Sequence, residues 1–370
     1  MRSISPSSAT VVGAGVFGAW IAHALHSRGW RVTLIDQHGP ANSRASSGGE
    51  TRIIRSGYGS LAVYAQWARQ SLADWIALEH RVGEQLFVRT GALFLGSNAA
   101  WLSDTAATLN AEDIPCERME HEELSRRFPQ LAVPDGSGAV FEPDAGVLFA
   151  RRAVQRLVAA LVEDGVTLMI GRVRGATDHS LRNAGAVIFA CGPWLPSLFP
   201  QILGEMIAPT QQPVYFFGAP AGDTRFSAAE LPAWVAFDDG IYGLPDLEHR
   251  GIKIAIDAHG PPADPERMDR AVDAEGIAAI RRILRRRLPG LADAPLLEAR
   301  VCQYENTPDG HFLFDRLPGH DRVWIAGGGS GHGFKHGPAV GRHVADLVEG
   351  AATDPRFQLA GRPPRGRAVY

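Results

Sequence analysis

The chain has 370 residues, 45% of them hydrophobic and 21% charged, with a formal net charge of −3, the balance of a soluble globular protein of about two domains. That charge gives no reason to expect nucleic acid or an anionic membrane as partner. Three cysteines (Cys116, Cys191 and Cys302) form neither a disulfide framework nor a CxxC pair, and no run is long and apolar enough to span a bilayer, so a reducing, cytoplasmic setting is expected.

The first predicted unit, "ATVVGAGVFGAWIAHALHSRGWRVTLIDQ", reads as strand, tight turn, helix and second strand. An apolar run at 9–12 leads into Gly13-Ala-Gly15-Val-Phe-Gly18, and a β-rich run at 32–35 ends at Asp36. Gly13 permits the turn, Gly15 lets the backbone approach a pyrophosphate, and Gly18 allows close helix–strand packing. The helix N-terminus attracts the phosphate charge, and the acid about twenty residues on can bond a ribose hydroxyl. The complete unit predicts a bound dinucleotide and leaves NAD and FAD both open. The same glycines interrupt what would otherwise serve as a signal sequence.

Next comes "SSGGETRIIRSGYG" at 46–59, a polar, glycine-rich segment holding Ser46, Arg52 and Arg55, where another βα unit would continue a simple NAD dehydrogenase. β-Rich runs follow, among them "QQPVYFFGAP" and "GIKIAID". Lys and Arg number 37, yet only Lys253 and Lys335 are lysines. A chain that otherwise uses arginine keeps lysine where a compact ammonium with a movable pKa differs from a permanently charged fork. By itself, Lys253 also fits a lysine snorkelling from an edge strand. The run "AEGIAAIRRILRRRL" predicts a helix with Ile277, Ile280, Ile283, Leu284 and Leu288 facing inward and a solvated arginine face. Cys302, in "RVCQYENTPDG", reads alone as a buried inert thiol.

Three stretches together carry a resemblance: 46–59, "NAGAVIFACGPWLPSL" at 183–198, and "VWIAGGGSGHGFKHGPAVGRHVADLV" at 323–348. Over about 9–350 the chain resembles the monomeric sarcosine oxidase and N-methyltryptophan oxidase branch of the FAD-dependent glycine oxidase/D-amino-acid oxidase family, with SGHGFK specific to that branch. The resemblance implies an α/β plus α+β fold. A discontinuous Rossmann-like FAD-binding domain would take 1–80, 146–207 and 310–370. A mostly antiparallel-sheet substrate domain would take 81–145 and 208–309, and the substrate would sit between the lobes.

It also implies roles. Cys302 matches the cysteine that tethers FAD covalently through a thioether, and Ser46, Val173, Gly331, His332, Gly333 and Lys335 join Gly13, Gly15, Gly18 and Asp36 around the cofactor. Backbone N–H groups of 327–333 would face the flavin carbonyl where charge collects on reduction. Lys253 matches the lysine that activates dioxygen, a fixed cation stabilising negative charge as it develops on O2. Arg55 and Lys335 match the groups that grip a substrate carboxylate, Arg52 an arginine over the flavin ring, and Tyr242 and Tyr304 tyrosines lining the amine pocket. The arginines read alternatively as anchors for FAD phosphates, the tyrosines as packing. Where the branch carries a histidine, this chain has Asp257, either pointing to solvent or placing a carboxyl in the pocket; the second case argues against sarcosine as preferred substrate.

The expected function is oxidation of the C–N bond of a carboxylate-bearing amine, secondary, N-methyl or cyclic, by a monomeric FAD enzyme reducing O2 to hydrogen peroxide. The alternatives are an FAD-dependent amine dehydrogenase with another acceptor and, in another class, an NAD-dependent dehydrogenase or non-catalytic nucleotide-binding protein. No HExxH or His/Cys metal spacing and no GxSxG elbow is present.

Overall fold

A computed structural model describes residues 7–362. A six-stranded sheet runs in the order β16-β17-β10-β1-β2-β9. β1 (Ser8–Val12), β2 (Arg31–Asp36), β9 (Thr167–Ile170), β10 (Ala186–Phe189) and β17 (Val323–Gly327) are parallel, and β16 (Leu313–Arg316) closes one edge antiparallel. Parallel strands covered on both faces need continuous apolar runs. Alternation divides them cleanly: Val11, Leu34, Ile188 and Ala326 enter one core, and Val12, Ile35, Phe189 and Ile325 enter another.

The first core is closed by α1 (Val16–Ser27), α2 (Ala62–Val82), α5 (Ala150–Glu163) and α9 (Gly337–Val348), and the second by α6 (Leu195–Leu198) and α7 (Pro200–Leu203). α1 and α9 approach so closely that a Cβ on Gly341 would lie 2.4 Å from the Trp20 carbonyl oxygen.

An eight-stranded sheet follows the order β15-β11-β14-β13-β12-β5-β7-β6. Its strands are β5 (Ala92–Gly96), β6 (Glu117–Met119), β7 (Gly138–Glu142), β11 (Ala208–Phe217), β12 (Ala233–Ala236), β13 (Ile241–Leu244), β14 (Ile252–Ile256) and β15 (Leu296–Asn306). Neighbours are antiparallel except β12 and β5. A small sheet of β3 (Thr51–Ile54), β8 (Gly146–Phe149) and β4 (Phe87–Val88) carries the arginine segment. Helices α3 (Ala99–Ala111) and α4 (His121–Arg127) pack on the β5–β7 end, and α8 (Ala274–Arg287) covers one face of the large sheet.

Side chains alternate across a strand, and in β14 this separates core from chemistry. Ile252 and Ile254 pack with Ile280 and Leu284 of α8, whereas Lys253 and Ala255 point to the opposite face. β14 is flanked by β11 and β13, so the edge-strand reading of Lys253 is overturned: the residue is central and 2% exposed. The α8 arginines also divide. Arg287 is buried and ion-paired with Asp239, while Arg286 reaches the same carboxylate from the exposed side. The predicted solvated face therefore loses one member to the interior.

Candidate active site

A cavity of about 210 Å³ lies along the carboxyl ends of the parallel strands and is lined by Gly13, Gly15, Asp36, Ser46, Arg52 and Val173, with Gly331 and Gly333 from the closing loop. Gly13 takes φ +104°, a conformation costly for any residue with a Cβ. Gly18 lies beneath the turn, where a Cβ would sit 1.8 Å from the Gly13 carbonyl oxygen. Asp36 accepts from Ala14 N and His38 N, each at 2.8 Å, fixing the β2 end against the turn. Ser47 Oγ caps α1 by accepting from Val16 N at 3.0 Å.

This cleft fits FAD on its own terms. The glycine turn and helix N-terminus supply donors for a pyrophosphate, and two residues lining the same cleft, Ser46 and Glu305, each carry a buried oxygen, Oγ and Oε2, with no hydrogen-bond partner among the described residues. Buried polar atoms without partners are uncommon and call for a ligand or water. Among the described residues no group of His, Cys, Asp and Glu could hold a metal ion.

A second cavity, about 70 Å³, shares Arg52, Tyr304, Gly331 and Phe334 with the first, so the two are contiguous. Arg55, Tyr242, Asp257, His332 and Lys335 complete its wall. His332 and Lys335 thus face the smaller pocket and do not line the dinucleotide cleft. Arg55 is buried over the Tyr58 ring at 4.6 Å, and the Lys335 ammonium lies 5.0 Å from the same ring. Lys335 Nζ donates to the His332 carbonyl at 2.9 Å. Burial first, and the Arg55 charge second, push the Lys335 pKa well below the ordinary lysine range. A buried guanidinium and a buried amine whose charged form an anion would favour, around one small pocket, have the chemistry to receive a carboxylate.

Asp257 does not point away to solvent. Its Oδ1 accepts from Tyr304 Oη at 2.8 Å, and burial raises its pKa while the Tyr304 bond and the Arg55 charge draw it back. The Tyr242 phenol, bonded to Tyr304, is raised chiefly by burial. Cys302 and Tyr304 alternate onto the face of β15 that continues the Lys253 face of the sheet. Cys302 is not among the residues lining the cleft; its Sγ accepts from Arg52 Nη2 at 3.5 Å.

Lys253 faces a third cavity, about 120 Å³, with Glu50, Thr51, Phe216 and Arg250. Its Nζ donates to the Thr51 carbonyl at 3.0 Å. Burial, then the neighbouring Arg52 charge, lowers its pKa well below that of a free lysine. The two lysines therefore occupy different cavities, with Arg52 between them in sequence contact with Thr51.

Two buried carboxyls at the site escaped the sequence reading. Glu142 accepts from Ser56 N at 3.0 and 2.9 Å and from Gly57 N at 2.6 Å, pinning the loop after Arg55; burial raises its pKa to about 7. Glu305, also raised to about 7 by burial, closes the cleft beside Gly329. For Glu142 the available signal was an acid closing the apolar run "GAVFE"; Glu305 stands in the mixed run "LLEARVCQYEN", which offered none.

A family model described as FAD dependent oxidoreductase (DAO) matches residues 8–347. Monomeric sarcosine oxidase of Bacillus sp. (strain NS-129) is 32% identical over 363 residues, covering 93% of each chain. N-methyl-L-tryptophan oxidase of Salmonella newport (strain SL254) is 29% identical over 367 residues, covering 94% of this chain and 96% of that one. Among solved structures, L-proline dehydrogenase from P. horikoshii aligns with a TM-score of 0.81 at 23% identity over 96% of this chain and 97% of its own, a likeness of fold.

Proposed function

The chain belongs to the FAD-dependent oxidoreductase family, and from that premise we propose that it oxidises the C–N bond of a carboxylate-bearing amine, secondary, N-methyl or cyclic, to an imine, with O2 as acceptor and hydrogen peroxide as product. The observation that carries the substrate class is the convergence of Arg55 and Lys335 on one small pocket contiguous with the dinucleotide cleft. FAD held there would accept the hydride equivalent from the carbon next to the nitrogen, the N–H proton leaving as the C=N bond forms, and would supply the two electrons that, with two protons, reduce O2 to hydrogen peroxide.

The protein's own groups do the rest. Arg55 and Lys335 hold the carboxylate, which restores full charge to a lysine that burial and its neighbour disfavour. Tyr242 and Tyr304 wall the amine, and Asp257 adds a carboxyl to receive a donor on the substrate. The amine must be uncharged to give up its electrons, so the rate of the reductive step rises with pH. Lys253, whose charged form burial and Arg52 disfavour, would be drawn back to an ammonium as negative charge develops on O2 beside it. Cys302 is the thiol we assign to a covalent flavin link. Arg52, which lines the cleft and bonds the carbonyls of Ser46 and Thr51, donates to that sulfur from the cleft side.

Stopped-flow kinetics with a peroxide-coupled screen of amino acids tests the reading. Lys335→Gln and Arg55→Gln should each raise the KM for an amino acid by tenfold or more, as about 1.5–3 kcal/mol per charged hydrogen bond requires. Lys253→Met should slow reoxidation about a hundredfold or more while sparing reduction. Flavin released by acid precipitation of the wild type would remove the Cys302 assignment. Equal KM values in all variants would remove the carboxylate assignment.

A further inference from the structure

Glu305 has no part in the chemistry above, yet it is built into the cofactor cleft. It projects from the end of β15, buried, with Oε1 accepting from Gly329 N at 3.2 Å and its own carbonyl accepting from Ser330 N at 3.1 Å. Glu305 lines the cleft, and its Oε2 is buried with no hydrogen-bond partner among the described residues. Oε2 lies over the backbone of Gly192 and Gly327, where a Cβ would stand 3.5 and 3.6 Å from it. The Gly329 amide, with that of Gly328 beside it, thus anchors the carboxyl, and Oε2 is left over.

We infer that Glu305 Oε2 is the acceptor for a hydroxyl of the ribityl chain that joins the pyrophosphate of FAD to its ring. The reasoning is by chemistry and place. In its ionised form the carboxyl offers acceptors only, so in that form it does not serve the phosphates, which also offer only acceptors and carry the same charge. Donors for the phosphates come from the Gly13–Gly15 turn and the α1 N-terminus. Asp36 occupies the β2 end of the cleft, suited to the adenosine ribose, and Arg52 and Tyr304 occupy the end that adjoins the amine pocket. Glu305 lies next to Tyr304 in sequence and beside Gly192, which follows β10, the strand paired with β1. Between the turn and Tyr304, the donors FAD brings are the hydroxyls of its polyol. The inference rests on FAD binding and is independent of which amine is oxidised or of the electron acceptor.

The test uses the full chain carrying Cys302→Ser, produced under riboflavin starvation so that binding is reversible. The Kd is measured by flavin fluorescence for FAD and for analogues lacking the 2′-, 3′- or 4′-hydroxyl of the ribityl chain. With Glu305 present, one analogue should bind about tenfold or more weakly than FAD. In Glu305→Leu that analogue and FAD should bind within about twofold of each other, the signature of direct coupling in a double-mutant cycle. The melting temperature of each apoprotein reports whether Leu disturbs the fold; if it does, Glu305→Gln supplies the same comparison with the anchor to Gly329 retained. Losses that are equal and additive for every analogue in both proteins would overturn the inference, as would an unchanged Kd on replacing Glu305.

Discussion

Asp257 is where a single atom type decides selectivity. Its carboxyl sits in the pocket that Arg55 and Lys335 charge positively, held by the Tyr304 hydroxyl. When ionised it competes with a substrate carboxylate for those cations; when protonated it does not. Asp257→Asn keeps the acceptor for Tyr304 and removes the charge. The variant should bind amino acids with a KM lowered about tenfold at high pH, corresponding to about 1.4 kcal/mol. Because the native carboxyl titrates above the ordinary aspartate range, the gap between the two enzymes should narrow as pH falls and Asp257 takes up its proton. A KM–pH profile of both proteins checks this. The role of Asp257 was half legible: its position after a β-strand lysine was visible in "GIKIAID", whereas its direction depended on Tyr304, 47 residues away.

At the scale of elements, local patterns read well and long-range ones did not. The glycine turn, α1 and β2 follow from contacts within about thirty residues, so spacing alone disclosed them. The alternation in β14 likewise set Lys253 apart from its isoleucines. Nothing local, however, says that Arg287 in an arginine-rich helix is the one that turns inward, since that depends on Asp239 in the turn before β13. Nor could the "GAVFE" run announce that its final Glu142 would be claimed by amides of Ser56 and Gly57, 86 and 85 residues earlier. The α1–α9 crossing gives a test at this scale. Gly341→Val drives a side chain into the Trp20 carbonyl, and overpacking of this kind costs about 1–3 kcal/mol. Since α1 also carries the dinucleotide turn, the variant should melt several degrees lower (roughly 2–4 °C per kcal/mol or somewhat less for a chain this long) and bind FAD more weakly. Thermal denaturation of apo and FAD-bound protein checks both effects.

For the whole molecule, a buried polar knot beneath the site ties stability to pH. Tyr58 Oη bonds His332 Nδ1 at 3.1 Å and His336 Nε2 at 2.9 Å. His336 is fully buried, facing Tyr58 and Tyr64, with Lys335, His332 and Arg55 around it, and its pKa lies well below 6.5 because of burial first and Lys335 second. A histidine depressed in the folded state contributes stability that is present above 6.5 and lost as pH falls towards its folded value. Glu142 and Glu305, raised to about 7, act oppositely over the same range, being stabilising when protonated. The informative quantity is therefore a difference between proteins. Between pH 7 and pH 5 the unfolding free energy of His336→Gln should fall less, or rise more, than that of the wild type, as denaturant titration at both pH values would show.

The separation of the two lysines has a temporal consequence. Lys335 belongs to the pocket that grips the organic acid, whereas Lys253 looks into a chamber walled by Phe216, Thr51 and the Glu50 and Arg250 side chains. A gas arriving by that chamber need not wait for the first product to vacate its seat. Turnover would then pass through a complex carrying imine and oxygen together, and double-reciprocal plots for amine at several oxygen tensions would intersect. Parallel lines would instead mean one doorway used in turn.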